Sequence, residues 1–212
     1  MVHDKKVAEQ TINYLTQINA IKLNTKNPFT WTSGIKSPIY CDNRLILSYP
    51  EIRKFLADKM SEIIKNKYGN NLSITGVATG AIAIGALIAE RLNLPYSYVR
   101  PEPKNHGLKN QIEGFIDKGS EVVVIEDLIS TGKSSLNAIN ALRNERFNVS
   151  GMLSIFSYNF DFANKRFQNE NITVNSLADY NTLVEMILSE GSISEDEGTR
   201  LMKWRENPNN WV

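Results

Sequence analysis

The stretch EVVVIEDLISTGKSS, residues 121–135, indicates the fold of this chain. Its first part, Glu121 to Ile125, is apolar without alternation, which is typical of a parallel strand buried on both faces. Two adjacent carboxylates, Glu126 and Asp127, follow, and a short Ser/Thr/Gly loop then opens a helix predicted over about 133–146. Ligands of open α/β sheets bind at the carboxyl ends of strands, and helix N-termini present free N–H groups. This turn is therefore a candidate phosphate site.

Strands and helices alternate around this segment. Periodicity predicts helices over 5–19, 52–68, 81–92, 162–168, 182–189 and 195–204, and strands over 74–78, 96–99, 149–156 and 172–175. This order predicts the α/β class, with a parallel central sheet and helices on both faces. A turn-rich stretch over 24–49 precedes the alternation, so we expect an N-terminal helix and cap over 1–50. The α/β core with C-terminal helices would span 51–212, the two regions forming one structural unit.

Composition excludes several classes of protein. The 212 residues carry 24 Lys and Arg against 23 Asp and Glu, a net charge of +1, which argues against a dedicated nucleic-acid binder. One cysteine excludes an internal disulfide framework and a multi-thiolate zinc site. No apolar run reaches the ~18 residues of a membrane span, and no signal peptide is visible. We therefore predict a cytoplasmic protein with neither a membrane nor a nucleic-acid partner.

The acid pair suits a ligand that carries hydroxyl groups as well as phosphate. A ribose diol can donate to both Glu126 and Asp127, with Mg²⁺ nearby. The alternative is that the two acids only end a strand and cap a helix. The tripeptide Gly132-Lys133-Ser134 does not complete a P-loop, because that pattern requires Gly at the position of Asp127.

A second polar segment follows the strand predicted over 96–99. Arg100, Lys104 and His106 lie there between prolines and Gly107. Their chemistry suits a departing pyrophosphate, because Arg and Lys neutralise charge and His donates a proton or hydrogen bond. The alternative is a solvated surface loop.

The segment around the acid pair resembles the signature of the type I phosphoribosyltransferases, which bind 5-phosphoribosyl 1-diphosphate (PRPP). That family usually has Asp at the first acidic position, and Glu126 is a longer variant that keeps the charge. The resemblance implies that the acids hold the ribose hydroxyls and that the following loop holds the 5′-phosphate. The implied PRPP-binding residues are Lys36, Arg100, Lys104, His106, Glu126, Asp127, Leu128, Ile129, Ser130, Thr131, Gly132, Lys133 and Ser134.

Two further segments resemble the orotate phosphoribosyltransferases within that family. Residues 100–107 match the R-x-x-x-K-x-H-G pattern of their catalytic loop, and residues 33–40 match the S-G-x-K-S-P-x-Y pattern of their cap. The resemblance implies that Lys104, His106 and Asp127 are catalytic. It also implies a homodimer in which the loop over 100–113 reaches the neighbouring active site.

Two departures from the family pattern concern the substrates. Pro101 stands where many members have a second Lys, and residues 155–160 lack the Arg with which some members hold the orotate carboxylate. Orotate is therefore expected to depend on Ser130, on backbone groups and on Tyr158.

The activity implied is transfer of phosphoribosyl from PRPP to orotate, giving orotidine 5′-monophosphate and pyrophosphate. This is a Mg²⁺-dependent glycosyltransferase reaction of pyrimidine (UMP) biosynthesis, and PRPP would hold the Mg²⁺ near Glu126 and Asp127, without a metal site of the protein's own. Such a transfer needs no covalent enzyme intermediate, so Cys41 is interpreted as a buried or loop thiol. Two alternatives are a phosphoribosyltransferase for another base and a PRPP-binding regulator. The cap and loop segments argue against the first, and the near-neutral charge argues against a nucleic-acid-binding regulator.

Overall fold

A central six-stranded sheet organises this protein, in a computed structural model that describes residues 2, 4–31, 34–102 and 110–210. Two short 3₁₀ helices, Asn43–Ser48 and Pro208–Asn210, accompany the main elements. The elements are, in chain order, α1 (Lys5–Gln17), β1 (Ile21–Leu23), β2 (Phe29–Thr30), β3 (Lys36–Ser37), β4 (Ile39–Cys41), α2 (Pro50–Tyr68), β5 (Ser73–Val77), α3 (Ala81–Leu92), β6 (Tyr96–Val99), β7 (Ile112–Glu113), β8 (Glu121–Ile129), α4 (Lys133–Asn144), β9 (Asn148–Ser157), α5 (Asp161–Asn169), β10 (Val174–Asp179), α6 (Tyr180–Ser189) and α7 (Glu195–Glu206).

The sheet has the strand order β10-β9-β8-β5-β6-β7. All neighbours pair in parallel except β6 and β7, which form an antiparallel edge. Helices cover both faces, which confirms the predicted α/β class. The strand order reverses between β5 and β8. Strands β6 and β7 follow β5 toward one edge of the sheet, and β9 and β10 follow β8 toward the other. Ligands of such sheets bind at this crevice, outside the carboxyl ends of the strands.

Strand β8 divides the core in two. Val123 and Ile125 belong to the cluster formed with α1, α2 and α3, whereas Val122 and Val124 belong to the cluster formed with α4 and α5. This alternation follows from the two-residue period of a strand. It continues into the two acids that follow, so that Glu126 is directed toward α4 and Asp127 toward the start of α3.

The cap consists of two small antiparallel ribbons, β1 with β4 and β2 with β3. The C-terminal helix α7 is tied to it, because the buried Trp204 donates from Nε1 to the Lys36 carbonyl at 2.8 Å. The rings of Trp31, Tyr158 and Phe160 pack around that indole. Helix α1 contacts β10 and α6 of the core. The division of the chain at residue 50 stays a prediction.

Most element boundaries agree with the sequence periodicity, and four strands differ from it. The strand expected over 172–175 lies instead over Val174–Asp179, where it pairs with β9 as far as Ser157. Strand β8 continues through Ile129, so the acid pair lies within the strand rather than beyond its end. Strands β1 and β7 were not predicted, because two or three residues are too short to carry a period. No helix among the described residues is both long and apolar enough to cross a membrane.

Candidate active site

Two adjoining cavities open at the carboxyl ends of β5 and β8. The acid cavity, of about 370 Å³, is lined by the acid pair, the cap residues 41–44 and the turn 77–80 after β5. The loop cavity, of about 300 Å³, is lined by Thr131, Lys133, Ser134 and the end of β6 with Arg100. Both cavities share Val77, Ala78 and Ser134 in their walls. The predicted phosphate loop and acid pair therefore face one continuous crevice.

The two acids of β8 meet different surroundings. The side chain of Glu126 is 4% exposed and accepts a hydrogen bond from Ser135 Oγ of α4 at 2.9 Å. Asp127 lies against Gly80, directly before α3. A Cβ atom on Gly80 would lie only 2.3 Å from the Asp127 carboxylate, so a larger residue here requires that carboxylate to move. Glycine at this turn allows the carboxylate to lie at the start of α3.

Burial governs the protonation of this pair. Desolvation raises the pKa of Glu126 well above its usual range, and the adjacent charge of Asp127 raises it further. Burial also raises the pKa of Asp127, against hydrogen bonds from neighbouring groups and the positive charge of Arg44. Two like charges in low dielectric favour retention of a proton. A ligand whose hydroxyls donate to these oxygens would replace the lost hydration.

The cap reaches the acid pair through Asn43. Its buried amide donates from Nδ2 to the backbone carbonyl of Asp127 at 2.6 Å and accepts from Cys41 Sγ at 3.2 Å. Cys41 is buried, and desolvation raises the pKa of its thiol well above its usual range. A thiol with a raised pKa is a poor nucleophile at neutral pH. The burial of Cys41 confirms its interpretation as a structural thiol.

The loop between β8 and α4 has the backbone that a phosphate cradle requires. Gly132 has φ of 74°, in the left-handed region, and a Cβ there would lie 2.9 Å from the Phe167 ring of α5. Both facts make a larger residue unfavourable at this position. Helix α4 begins directly afterwards, and the first N–H groups of a helix are available to an anionic ligand. Arg166 of α5 supports the loop by donating from Nη1 to the Thr131 carbonyl at 3.2 Å.

Arg100 stands where β6 meets the loop cavity. Its backbone N–H donates to the Gln111 carbonyl at 2.8 Å, and its guanidinium lies 3.6 Å from Glu113. The buried Nε has no hydrogen-bond partner among the described residues. An unsatisfied buried donor beside a cavity suits an anionic ligand. The other cations predicted for this loop, Lys104 and His106, lie outside the described residues.

Four other residues of the predicted PRPP set differ in their position relative to the two cavities. Leu128 lines the acid cavity, but the Ile129 side chain lies in the hydrophobic core, so only its backbone faces a ligand. Ser130 is half-buried and lines neither cavity, and Lys36 is exposed on β3 and also lines neither. The roles of all four residues stay predictions.

The expected contact of Tyr158 with orotate is wrong. Its side chain is 1% exposed and lies among Trp31, Phe156, Phe160 and Tyr180. This ring therefore belongs to the aromatic cluster that joins the cap to α7, and it is not exposed to a ligand. Sequence reasoning also missed two site residues, Asn43 and Arg44. Their position within the predicted cap, three and four residues after the pattern over 33–40, was the available signal.

Known proteins match this chain over most of its length. The phosphoribosyl transferase domain family matches residues 45–157, which hold the acid pair and the phosphate loop. The orotate phosphoribosyltransferase of Phocaeicola vulgatus is 49% identical over 197 residues, covering 93% of both chains. That of Porphyromonas gingivalis is 45% identical over 207 residues, covering 98% of this chain and 99% of its own.

A solved structure agrees with the sequence relatives. The crystal structure of orotate phosphoribosyltransferase from Aeropyrum pernix matches with a TM-score of 0.74 at 29% identity, covering 86% of this chain and 99% of that one. The fold, the crevice and these relatives all agree, and the chain belongs to the orotate phosphoribosyltransferase family, within the type I phosphoribosyltransferases.

Proposed function

We propose that this protein transfers the phosphoribosyl group of PRPP to orotate, giving orotidine 5′-monophosphate and pyrophosphate in pyrimidine biosynthesis. The observation that carries the proposal is the pairing of Glu126 and Asp127 with a glycine-bent loop on one crevice. A sugar phosphate needs both features, since its hydroxyls donate to carboxylates and its phosphate accepts from N–H groups. That the base is orotate follows from the relatives, which are orotate phosphoribosyltransferases.

PRPP would lie along the crevice with its 5′-phosphate on the loop 130–134. Its ribose diol would donate to Asp127 and Glu126 in the acid cavity. The diphosphate would extend toward Arg100, whose unsatisfied Nε is a suitable donor. Lys36, Lys104 and His106 complete the proposed set, on the strength of the family pattern alone.

In the reaction, the bond from the anomeric carbon to the pyrophosphate oxygen breaks, and a bond from that carbon to a ring nitrogen of orotate forms. Positive charge builds on the ribose ring as the pyrophosphate departs with its electron pair. The Asp127 carboxylate would balance the positive ring, while Arg100, Lys104 and His106 would neutralise the leaving group. We further propose that the segment 100–113 excludes water during this step, because water would hydrolyse PRPP.

The residues of the crevice fit a magnesium ion that arrives with the substrate. Among the described residues no group of three or more His, Cys, Asp or Glu side chains could hold a metal. Two carboxylates are nevertheless present in Glu126 and Asp127, and Mg²⁺ is usually bound through one or two carboxylates and substrate phosphates. When bound, the ion would supply charge neutralisation at the diphosphate.

A homodimer and a cytoplasmic location complete the proposal. The dimer rests on the family resemblance, in which the loop 100–113 of one subunit reaches the site of its partner. Sedimentation at micromolar concentration would test it, and a monomer that retains full activity would refute it.

Orotate consumption tests the activity directly. Purified protein, Mg²⁺, PRPP and orotate are mixed, and the loss of orotate absorbance is followed, with uracil and hypoxanthine as control bases. Loss with orotate alone, dependent on PRPP and Mg²⁺, is the expected result. Binding of PRPP without consumption of any base would instead support the regulator, and consumption of a control base would support a different transferase. The Asp127→Asn variant is expected to bind PRPP and lose most turnover.

A further inference from the structure

The cap places one arginine in the acid cavity. Arg44 begins the 3₁₀ helix Asn43–Ser48 together with Asn43, and Asp42 holds its guanidinium in two hydrogen bonds. Nε lies 2.7 Å from Oδ1 of Asp42, and Nη2 lies 2.8 Å from Oδ2. This fork-shaped pair fixes the plane of the guanidinium and leaves the two N–H groups of Nη1 unused by Asp42.

The 3₁₀ segment that carries Arg44 is hydrogen-bonded to strand β8. Its neighbour Asn43 donates to the backbone carbonyl of Asp127, 84 positions along the chain, at 2.6 Å. The positive charge of Arg44 acts on Asp127, whose pKa it lowers against the effect of burial. The guanidinium therefore has a defined position beside the acid pair, although its own side chain is largely exposed.

An anionic base in this cavity needs a cation. Orotate carries a carboxylate, and the cavity wall already contains three acids, Asp42, Glu126 and Asp127. Bringing another carboxylate among them without a positive partner is unfavourable. Residues 155–160, at and directly after the end of β9, contain neither Lys nor Arg.

Other cations near the crevice have different roles. Arg100 lines the end of the loop cavity formed by β6, toward which the diphosphate would extend. Arg166 donates to the Thr131 carbonyl, and Arg205 donates from Nη1 to the Asn159 carbonyl at 2.7 Å and to Asp161 at 3.1 Å. Neither Arg166 nor Arg205 lines a cavity at the crevice. Within the described part of the chain, Arg44 is the one Lys or Arg in the wall of the acid cavity.

We propose that Arg44 binds the carboxylate of orotate through Nη1 and selects this anionic base over neutral pyrimidines, with Asp42 and Asn43 as its positioning residues. The inference rests on the proposed function. Arg44 acts by direct contact with substrate and product, so its effect depends on whether the ligand carries the carboxylate. A purely structural role of Arg44 would not depend on it.

Binding of the product nucleotide, with and without its carboxylate, tests whether the effect of Arg44 depends on that group. The dissociation constants of orotidine 5′-monophosphate and of uridine 5′-monophosphate, which lacks the carboxylate, are measured by calorimetry for the native protein and for Arg44→Gln. Loss of a charge-assisted hydrogen bond is expected to weaken binding of orotidine 5′-monophosphate about 10- to 100-fold. Binding of uridine 5′-monophosphate and of PRPP should change less than about threefold. The preference for the carboxylated nucleotide would thus collapse in the variant.

Arg53 provides the matched control. It lies on α2 and donates to the Leu47 carbonyl in the same 3₁₀ segment, but it lines no part of the acid cavity. Arg53→Gln is therefore expected to keep the native preference. A second variant, Arg44→Lys, keeps the charge without the planar fork and should show an intermediate preference. It also keeps the test decisive if Arg44→Gln does not fold.

Two results would overturn the proposal. One is a native preference in Arg44→Gln, and the other is an equal loss of affinity for both nucleotides, which would show a structural role. The assay of the native protein separates these results from failure of the proposed function. A native protein that does not consume orotate would refute the function itself, whereas an active native protein with an unchanged preference in the variant refutes the assignment of Arg44 alone.

Discussion

Replacement of Gly80 by alanine tests the position of the Asp127 carboxylate. Gly80 has φ of −63° and ψ of −37°, which alanine adopts without strain. The added Cβ, however, would lie 2.3 Å, 2.3 Å and 2.4 Å from Cγ, Oδ2 and Oδ1 of Asp127. Ordinary carbon contacts begin at about 3.5 Å, so the carboxylate must move by about 1 Å. A misplacement of that size in a reacting site costs about 100-fold in rate.

The assay follows orotate consumption together with thermal melting. We expect kcat for Gly80→Ala to fall about 100-fold, which corresponds to about 2.7 kcal/mol of transition-state stabilisation. The melting temperature should change by only a few degrees, because the end of the Asp127 side chain moves more easily than backbone. Gly198→Ala in α7 is the control, since its Cβ would meet only the Leu188 and Ile193 side chains, the nearest atom at 3.3 Å. It should retain native turnover.

The reasoning is refuted if Gly80→Ala turns over orotate within about threefold of the native rate while melting normally. That result would mean that the observed position of Asp127 is not the one used in catalysis. A large loss of both stability and activity would instead place the effect in folding of the turn 78–81.

Three other predictions concern the acid pair, the cap and the thiol. Glu126→Gln should raise the melting temperature more at pH 8 than at pH 5. Burial raises the pKa of Glu126 in the folded protein above its value in the unfolded chain. The native protein therefore loses stability as the pH rises from the unfolded pKa through the folded pKa, and the variant does not. Equal shifts at both pH values would contradict this. Trp204→Ala should lower the free energy of unfolding in urea by about 3–5 kcal/mol, because the indole is fully buried and donates to the Lys36 carbonyl; a loss below about 1 kcal/mol would show that α7 is not needed to hold the cap. Cys41 should react with a disulfide reagent at pH 8 far more slowly in the folded protein than in urea, since burial raises the pKa of its thiol. Rapid labelling of the folded protein would disagree with the buried position.

Local periodicity explains why much of the fold could be read in advance. The helix over 81–92 was predicted with its observed bounds, and the helix predicted over 195–204 begins at Glu195 as expected. The apolar run of β8 is buried as expected of a central parallel strand. Such features depend on residues that are close in sequence, so they can be predicted from the sequence alone. The edge strand β7 carries no such signal.

The sequence alone determined the α/β class, the acid pair and the candidate phosphate loop, because each is a local pattern of residue types. Only the tertiary structure decided that Glu126 faces α4 while Asp127 faces Gly80. It also decided that Tyr158 is enclosed by aromatic rings and that Arg44 reaches the acid cavity. The contact of Asn43 with Asp127 spans 84 positions. Packing of the cap against the sheet creates that proximity, and no short-range pattern in the sequence records it.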